Sequence, residues 1–444
     1  MIKLRKLLLI LVCAFNIISG EVFAQIGTRF PSEKKVVKDP VTGIKLTFLT
    51  SAQKGDSKMY HTHNQWTSDG KWVIFKSDRV KGEALAVNEK SGVIVQVTEG
   101  GYSSMICVAR KSMKMYFLRK PADQPGSKSV EVVEVDLGKL FADSEAKKLK
   151  AASFYQRVCG VTPPEWEVES DMALDGGEEW VWFRVGKTEA AKHLPEGTKI
   201  EPSFGPRNLG AGPNGVAGMN IHTGETRYIV SVPFQMGHLQ CNPWKPGQIF
   251  LCWETGGKAP QRTWTVNSDG TGLNPVYKES EFEWITHEAV ISPDEMAFVI
   301  SGHRRVEVKS DGSNTIYTLP ESEWGPSGTR KTPTGLALIN LNTNEVSLEG
   351  QIPEGNGFWH VHGSADKRFL AGDNSSRNIY LISRKTHEMM LLSGGHKTTA
   401  ADHPHPTFSH DGTRIEIQSA MLSEDGKSMN ICIIPVPKKW LKEK

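Results

Sequence analysis

Short apolar segments, each preceded by a turn signal, recur along almost the whole chain. The turn signal is a small group of Asp, Gly, Asn, Ser or Pro, as in Asp69-Gly70 and Asp411-Gly412. A second stretch of alternating polar and apolar residues follows each segment and ends in another turn. This pattern predicts antiparallel strands joined by tight hairpins. The apolar segments are 72–75, 115–118, 180–183, 249–252, 296–299, 368–371 and 414–417.

Seven copies of one pattern predict a repeat architecture of small twisted sheets around an axis. The fold class expected is therefore all-β, a seven-bladed β-propeller, and residues 25–444 are predicted to form one domain. An array of β-sandwiches is the alternative, but sandwiches lack such a fixed Asp-Gly recurrence. One amphipathic helix is predicted over 139–152, as an insertion between strands.

The first 24 residues are predicted to be a signal peptide rather than part of the fold. Lys3, Arg5 and Lys6 form a basic head, an apolar run follows over 7–18, and Ala24 offers a small residue before the cleavage point. A retained N-terminal anchor is the alternative. No later stretch approaches the apolar length of a membrane span. The protein is thus expected in the periplasm or secreted, without a membrane span.

Charge and cysteine content exclude several functions. The net charge is +3 with 23% charged residues, so no global field favours a nucleic-acid partner. Five cysteines follow the signal peptide without any CxxC pair, which argues against a thiolate zinc site and against a disulfide framework. The oligomeric state is left open.

Histidines recur at one point of the repeat, just before the turn signal. Innermost strands of a propeller start on one face, so residues at equivalent positions become neighbours there. A ring of imidazoles suits a metal site or an acid–base site. Any single histidine of this kind is more often a structural residue whose hydrogen bonds are made within the protein. His403-Pro404-His405 is the strongest pair, because alternation places both rings on one side of an extended segment. The histidines concerned are His61, His63, His238, His287, His360, His362, His403 and His405.

Four segments around these histidines carry a family resemblance. They are Gly-His-Leu-Gln-Cys-Asn-Pro at 237–243, Gln-Arg-Thr-Trp-Thr-Val-Asn-Ser-Asp-Gly at 261–270, Ile-Thr-His-Glu at 285–288 and His-Pro-His-Pro-Thr-Phe-Ser at 403–409. The chain here resembles the oligogalacturonate lyase family of propeller polysaccharide lyases. The Asn64-Gln65 element is also similar, so the resemblance extends over most of residues 25–444.

The resemblance implies a metal-assisted active site. It makes His238 the catalytic base, and His287, His403 and His405 ligands of a divalent metal, manganese first, with calcium or zinc as alternatives. The catalytic arginine of the family has two candidates here, Arg207 and Arg262. The glutamine that completes the family's metal site is replaced by Ala400, so His362, His360 or water is left for the fourth position.

The resemblance also implies the reaction, β-elimination in a uronic-acid-containing oligosaccharide or polysaccharide that leaves a 4,5-unsaturated uronate. Because related propeller lyases act on ulvan and other uronate–rhamnose polymers, the departure at Ala400 predicts an altered substrate. A non-enzymatic TolB-like binding propeller is the alternative function, and another propeller enzyme is a third. No GxSxG motif supports a serine hydrolase. Substrate contacts are expected from His61, His63, Asn64, Gln65, Trp359 and His360.

Overall fold

The computed structural model of the protein describes residues 25–442, apart from 104, 125, 169–170, 204–208, 256–258, 281–282, 309–313, 319–333 and 353–356. The predicted signal peptide, residues 1–24, lies outside the described residues. Seven small antiparallel sheets form a ring, which confirms the seven-bladed β-propeller. Each predicted apolar segment coincides with, or overlaps, the second strand of a blade.

The blades are numbered in chain order, and their strands run from the axis outward. Blade 1 contains Ser57–Lys58, Trp72–Lys76, Ala84–Asn88, Ile94–Gln96 and Arg29–Phe30. Blade 2 contains Cys107–Val108, Lys114–Arg119, Glu131–Asp136 and Gln156–Val161. Blade 3 contains Met172–Leu174, Trp180–Val185, Ala211–Asn220 and Thr226–Phe234. Blade 4 contains Met236–Cys241, Gln248–Trp253, Thr263–Asn267 and Asn274–Pro275.

The last three blades include the closure of the ring. Blade 5 contains Glu283–Ser292, Glu295–Val308, Gly335–Asn340 and Val346–Gly350, and Asn314–Thr318 pairs with its second strand. Blade 6 contains Phe358–Gly363, Phe369–Asn374, Ile379–Ser383 and Met389–Ser393. Blade 7 contains Thr407–Phe408, Arg414–Ser419, Asn430–Pro435, Lys45–Phe48 and Lys35–Lys38. Both ends of the chain therefore share one sheet, in which Thr47 is paired with Ile433.

The second strands read as unbroken apolar runs because both faces of each blade are covered. In blade 1, Trp72 and Ile74 pack toward blade 2, in one cluster with Phe117. Val73 packs on the opposite face, in one cluster with Ile433 of blade 7. Alternate residues of one strand thus belong to two different interfaces, as the two-residue period of a strand requires.

Within the described residues the helices are short. Between strands lie the α-helices Leu137–Glu145 and Lys187–Lys192 and the 3₁₀ helices Ala152–Phe154 and Pro164–Trp166, and after the last strand comes the α-helix Lys438–Leu441. The first of them is the predicted insertion, and it starts before residue 139 because the Asp136 side chain accepts a hydrogen bond from the Lys139 amide at 2.9 Å, an N-cap. It ends at Glu145, well short of residue 152.

Two further sequence expectations concern the cysteines and the membrane. Each of the five cysteines after residue 24 is a free thiol, in agreement with the prediction that they form no disulfide framework. Within the described residues no helix is long and apolar enough to cross a membrane.

Candidate active site and metal centre

Three of the predicted site histidines lie at irregular points of the backbone. His238, His287 and His405 have left-handed φ angles of 49°, 53° and 53°. The strand pairing shifts register at His238, between Gly237 and Gln240, and also across His287. A bulge of this kind re-aims a side chain, and a non-glycine residue in this conformation costs about 1–3 kcal/mol. The rings of His238 and His287 lie with centres 6.3 Å apart, and His287 and His405 both lie beside His360 at one mouth of the propeller.

Five imidazoles from four blades form what we call the histidine cluster: His61, His287, His360, His403 and His405. His360 is central, with its ring centre 4.2 Å from that of His287, 5.1 Å from His403 and 3.8 Å from His405. The ring of His61 lies 5.3 Å from His360. The predicted convergence of histidines from different blades is therefore present.

The histidine cluster is electrically neutral near physiological pH. Burial lowers the pKa of all five rings, and neighbouring histidines lower it further. For His403, burial, Arg377 and His405 lower the pKa to about 3. A neutral imidazole has a free lone pair, which is the form that binds a metal.

Unsatisfied nitrogen atoms indicate where a cation fits. The Nδ1 atoms of His61, His403 and His405 are buried and have no hydrogen-bond partner among the described residues. Ligand atoms of His360, Asp373 and His403 all lie within 4.8 Å of one another. Imidazole and carboxylate together suit manganese, zinc or iron better than calcium. The residues present therefore fit a divalent metal, with Asp373 in a ligand position that the sequence had not suggested.

A second layer of contacts holds the cluster in place. Asp373 accepts hydrogen bonds from the backbone amides of His360 at 2.8 Å and His405 at 3.1 Å. Asp402 contacts His405 Nε2 at 2.7 Å, which leaves Nδ1 for a ligand role. Gln418 donates to Asp402 at 2.8 Å. Such partners fix the orientation of metal-binding imidazoles.

His238 lies beside the cluster in a different environment. Arg262 Nη2 lies 3.2 Å from its Nδ1, and Glu288 Oε1 lies 3.6 Å from the same atom. Its Nε2 lies 3.5 Å from Glu254 Oε2. Ligand atoms of His238, Cys252 and Glu288 are also close enough for a metal. The positive charge of Arg262 at this position would repel a metal ion. The environment of His238 therefore suits proton transfer, whereas the histidine cluster suits a metal ion.

Arg262 and Glu288 form a buried ion pair beneath His238. Arg262 Nε donates to Glu288 Oε2 at 3.0 Å, and both side chains are almost fully buried. Burial alone would raise the pKa of Glu288, but Arg262 and His238 outweigh it and hold that pKa well below its usual value. Arg262 is thus placed next to the predicted base. The other predicted arginine, Arg207, lies outside the described residues.

Replacing Arg262 by methionine is expected to destabilise the fold by about 3–5 kcal/mol, because Glu288 is left as an unpaired buried charge. The pKa of Glu288 is lower in the folded state than in the unfolded chain. The ion pair therefore stabilises the fold at pH values above the unfolded-state pKa, and this stabilisation is lost progressively as the pH falls from there toward the folded-state pKa. Urea denaturation of both proteins at neutral and acidic pH measures the difference, which should shrink in acid. Arg368→Met, which removes an exposed pair with Asp366, is the control and should cost at most about 1 kcal/mol.

Tyr60 is a site residue that the sequence analysis missed. Its ring centre lies 4.9 Å from that of His238 and 5.0 Å from that of His405, so it separates the candidate base from the histidine cluster. Burial raises the pKa of Tyr60 well above its usual value and keeps the hydroxyl protonated. The sequence feature that could have indicated Tyr60 is its position directly before His61, in the first copy of the histidine pattern.

Several other predicted site residues have structural partners of their own. His63 Nε2 donates to the Met172 carbonyl at 2.8 Å. Asn64 and Gln65 donate to backbone carbonyls of their own loop, Asn64 to Trp66 at 2.8 Å and Gln65 to His63 at 2.6 Å. These contacts shape the loop that presents Tyr60 and His61. A role for them in substrate binding stays a prediction.

The structure places some of the remaining predicted residues at the cluster and others outside it. Trp359 stacks on His403 with ring centres 5.6 Å apart, at the cluster. His362 lies outside the cluster, and its Nδ1 accepts from the Phe408 amide at 3.3 Å. Ala400 is buried and has no ligand atom in its side chain. Of the two candidates in blade 6 for the missing ligand position, the structure places His360 in the cluster and His362 away from it.

The fold and the site together define a seven-bladed β-propeller with a histidine-lined mouth. No protein-family model matches the chain, and no curated protein matches it by sequence. Among solved structures, an oligogalacturonate lyase in complex with manganese superposes with a TM-score of 0.70 at 16% identity, over 94% of this chain and 100% of that one. An oligogalacturonate lyase from Vibrio parahaemolyticus gives a TM-score of 0.70 at 17% identity, over the same shares. At these identities the similarity shows that the chain has the fold of the oligogalacturonate lyases.

Proposed function

We propose that this protein is a lyase that cleaves a uronic-acid-containing oligosaccharide or polysaccharide by β-elimination. The observation that carries the proposal is the juxtaposition of two chemically different groups at one mouth. The neutral histidine cluster lies beside His238 with its arginine, and the ring centres of His238 and His287 are 6.3 Å apart. The shared fold with solved oligogalacturonate lyases, one of them a manganese complex, supports the same conclusion.

The cluster accounts for substrate activation. A divalent metal held by His360, His403 and Asp373, with His287 and His405 alongside, would neutralise the uronate carboxylate and make the adjacent C5 proton more acidic. Manganese is the first candidate, with zinc or calcium as alternatives. Arg262 adds a fixed positive charge next to His238. Trp359 is placed to stack on a sugar ring at the same mouth.

The remaining residues can carry the proton transfers. His238 is assigned the abstraction of the C5 proton, and Glu254, whose Oε2 lies 3.5 Å from His238 Nε2, can pass the proton on to solvent. The C5–H electron pair becomes the C4–C5 double bond as the C4–O4 bond breaks. Tyr60 is placed to donate its hydroxyl proton to the departing O4. The products are a 4,5-unsaturated uronate end and a free hydroxyl on the leaving chain.

The substrate is proposed to be a mixed uronate glycan rather than plain oligogalacturonate. Ala400 supplies no metal ligand, and the carboxylate of Asp373 lies beside His403 instead, with Oδ2 3.9 Å from Nδ1. A carboxylate ligand at the metal centre would change how the substrate carboxylate is bound. The signal-like sequence of residues 1–24 supports a periplasmic or secreted location, where such polymers are met.

Incubation with uronate glycans is expected to produce ultraviolet absorbance from the conjugated double bond, because elimination creates that chromophore. Initial rates on digalacturonate and trigalacturonate should be lower than those on ulvan or rhamnogalacturonan fragments. Chelation of divalent metal should abolish the signal, and a neutral glycan is the negative control. A TolB-like binding propeller would give no absorbance with any glycan and retain no metal. Faster turnover of the galacturonate oligomers would contradict the substrate proposal alone.

A further inference from the structure

Cavities also lie in the half of the central channel that is opposite the histidine cluster. All innermost strands run in the same direction, and the histidine cluster lies toward their starts. Residues nearer their ends, such as Cys241, Ile291 and Gly363, line two adjoining small cavities of about 50 Å³ and about 30 Å³. Cavities of this size admit a small polyatomic ion or a few water molecules. We call these two cavities the lower channel; both are lined by Thr62, His63, Asn64, Arg110 and Pro243.

Arg110 is the cation of the lower channel. It follows the innermost strand of blade 2, and its guanidinium lies over the ring of Trp244 from blade 4, 4.6 Å from the ring centre. Among the described residues it has no hydrogen-bond or ion-pair partner. Burial lowers the pKa of Arg110 to about 10, against the opposing effect of Glu178. Arg110 is partly exposed to the channel, so its guanidinium can donate to the acceptor oxygens of a bound anion.

The two carboxylates near Arg110, those of Glu178 and Asp175, accept hydrogen bonds from other groups. Glu178 accepts from the Lys111 amide at 2.6 Å and from the Ser112 hydroxyl at 2.7 Å. Asp175 accepts from the amides of Gly177 and Gly247, both at 2.7 Å. Neither carboxylate reaches ion-pair distance of Arg110. The guanidinium therefore keeps its donors available for a ligand.

A second donor faces the same space. His362 Nδ1 accepts from the Phe408 amide at 3.3 Å, so the hydrogen of the neutral ring is on Nε2. His362 and Arg110 line the same cavity, together with the apolar side chains of Ile291, Pro243 and Phe408. Donors set in apolar walls favour a ligand with acceptor oxygens.

We propose that the lower channel is a second binding site, for a small carboxylate or inorganic oxyanion, with Arg110 as the charged contact and His362 as the second donor. This site is separate from the histidine cluster and goes beyond the proposed lyase activity. A small carboxylate such as acetate and an inorganic oxyanion share the required chemistry.

Chemical modification of the intact protein tests the proposal at Arg110 itself. Phenylglyoxal labels accessible arginines, and peptide mapping reports the label on Arg110 with acetate, sulfate or neutral acetamide present. Protection by acetate alone identifies a carboxylate site, and protection by sulfate, with or without acetate, identifies an oxyanion site. Protection by neither anion, or equal protection by acetamide, overturns the proposal. Because the label is read at Arg110, the result does not depend on whether the protein is a lyase.

A matched pair of variants provides the second measurement. Arg227 lies over the ring of Trp180 at the same 4.6 Å, but on the exposed surface. Acetate and sulfate titrations of Arg110→Gln should show one anion affinity weakened by at least about tenfold, the scale of a lost charged hydrogen bond. Arg227→Gln should bind like the wild type. Equal loss in both variants, or no loss in Arg110→Gln, overturns the assignment. The labelling result stands by itself if Arg110→Gln fails to fold.

Discussion

Replacing His238 by alanine is expected to reduce turnover by about 10²–10⁴ while metal binding is retained. His238 is the imidazole at this mouth whose neighbours are an arginine and two glutamates rather than other histidines. Its removal takes away the proton acceptor and leaves the histidine cluster intact. Initial rates from ultraviolet absorbance measure the loss, and metal content is determined in parallel.

The control for this substitution is His222→Ala, because His222 is exposed in a surface turn. That variant should match the wild type in rate, metal content and thermal unfolding. Unchanged turnover in His238→Ala would move the role of base to Tyr60 or His61. Loss of metal in the same variant would instead place the ion at the group of His238, Cys252 and Glu288.

Replacing His403 by alanine is expected to weaken metal binding by at least about 100-fold, since losing even an outer contact of a metal site costs 10- to 100-fold. His403 is the partly exposed member of the group with His360 and Asp373, and its Nδ1 has no hydrogen-bond partner among the described residues. Metal analysis after dialysis, with titration of manganese into the stripped protein, measures the affinity.

Two further variants make the metal prediction specific. Asp373→Asn keeps the side-chain shape and should weaken binding by removing the negative charge, at some cost to the backbone contacts with His360 and His405. His387→Ala removes an exposed histidine remote from the cluster and should leave the affinity unchanged. Full metal occupancy in His403→Ala would exclude the cluster as the metal centre.

The fold was predictable because its information is local. A turn signal such as Asp411-Gly412 and the apolar strand after it are adjacent in sequence, and the repetition of that unit implies the ring. The extent of the helix at Leu137–Glu145 was less accurate because its start depends on a single capping contact from Asp136. The period of the apolar positions alone does not place such a contact.

The repeat predicted only site residues on or just before the innermost strands. His287 and His403 stand at equivalent points of the repeat, so their convergence follows from the fold. Asp373 reaches the same mouth from the second strand of blade 6, where nothing in the repeat marks it. Arg262, just before the third strand of blade 4, was a candidate only through the family resemblance. The choice between His360 and His362 depends on the backbone irregularity that accompanies His360, where strand pairing shifts between Phe358 and Val361. Such bulges carry no reliable sequence signal.

The sheet shared by both chain ends sets the order in which the ring can be completed. Strand Lys45–Phe48 is synthesised early, yet its partner Asn430–Pro435 is among the last segments to be made. Until then, the first strands of the chain have an unpaired edge, which is the feature of a sheet most prone to aggregation. Pairing across so much of the sequence carries a large loop-closure entropy and makes ring closure a slow, late step. The mouth with the histidine cluster, to which blades 1 and 7 contribute His61, His403 and His405, is therefore assembled last, when the two ends of the chain meet.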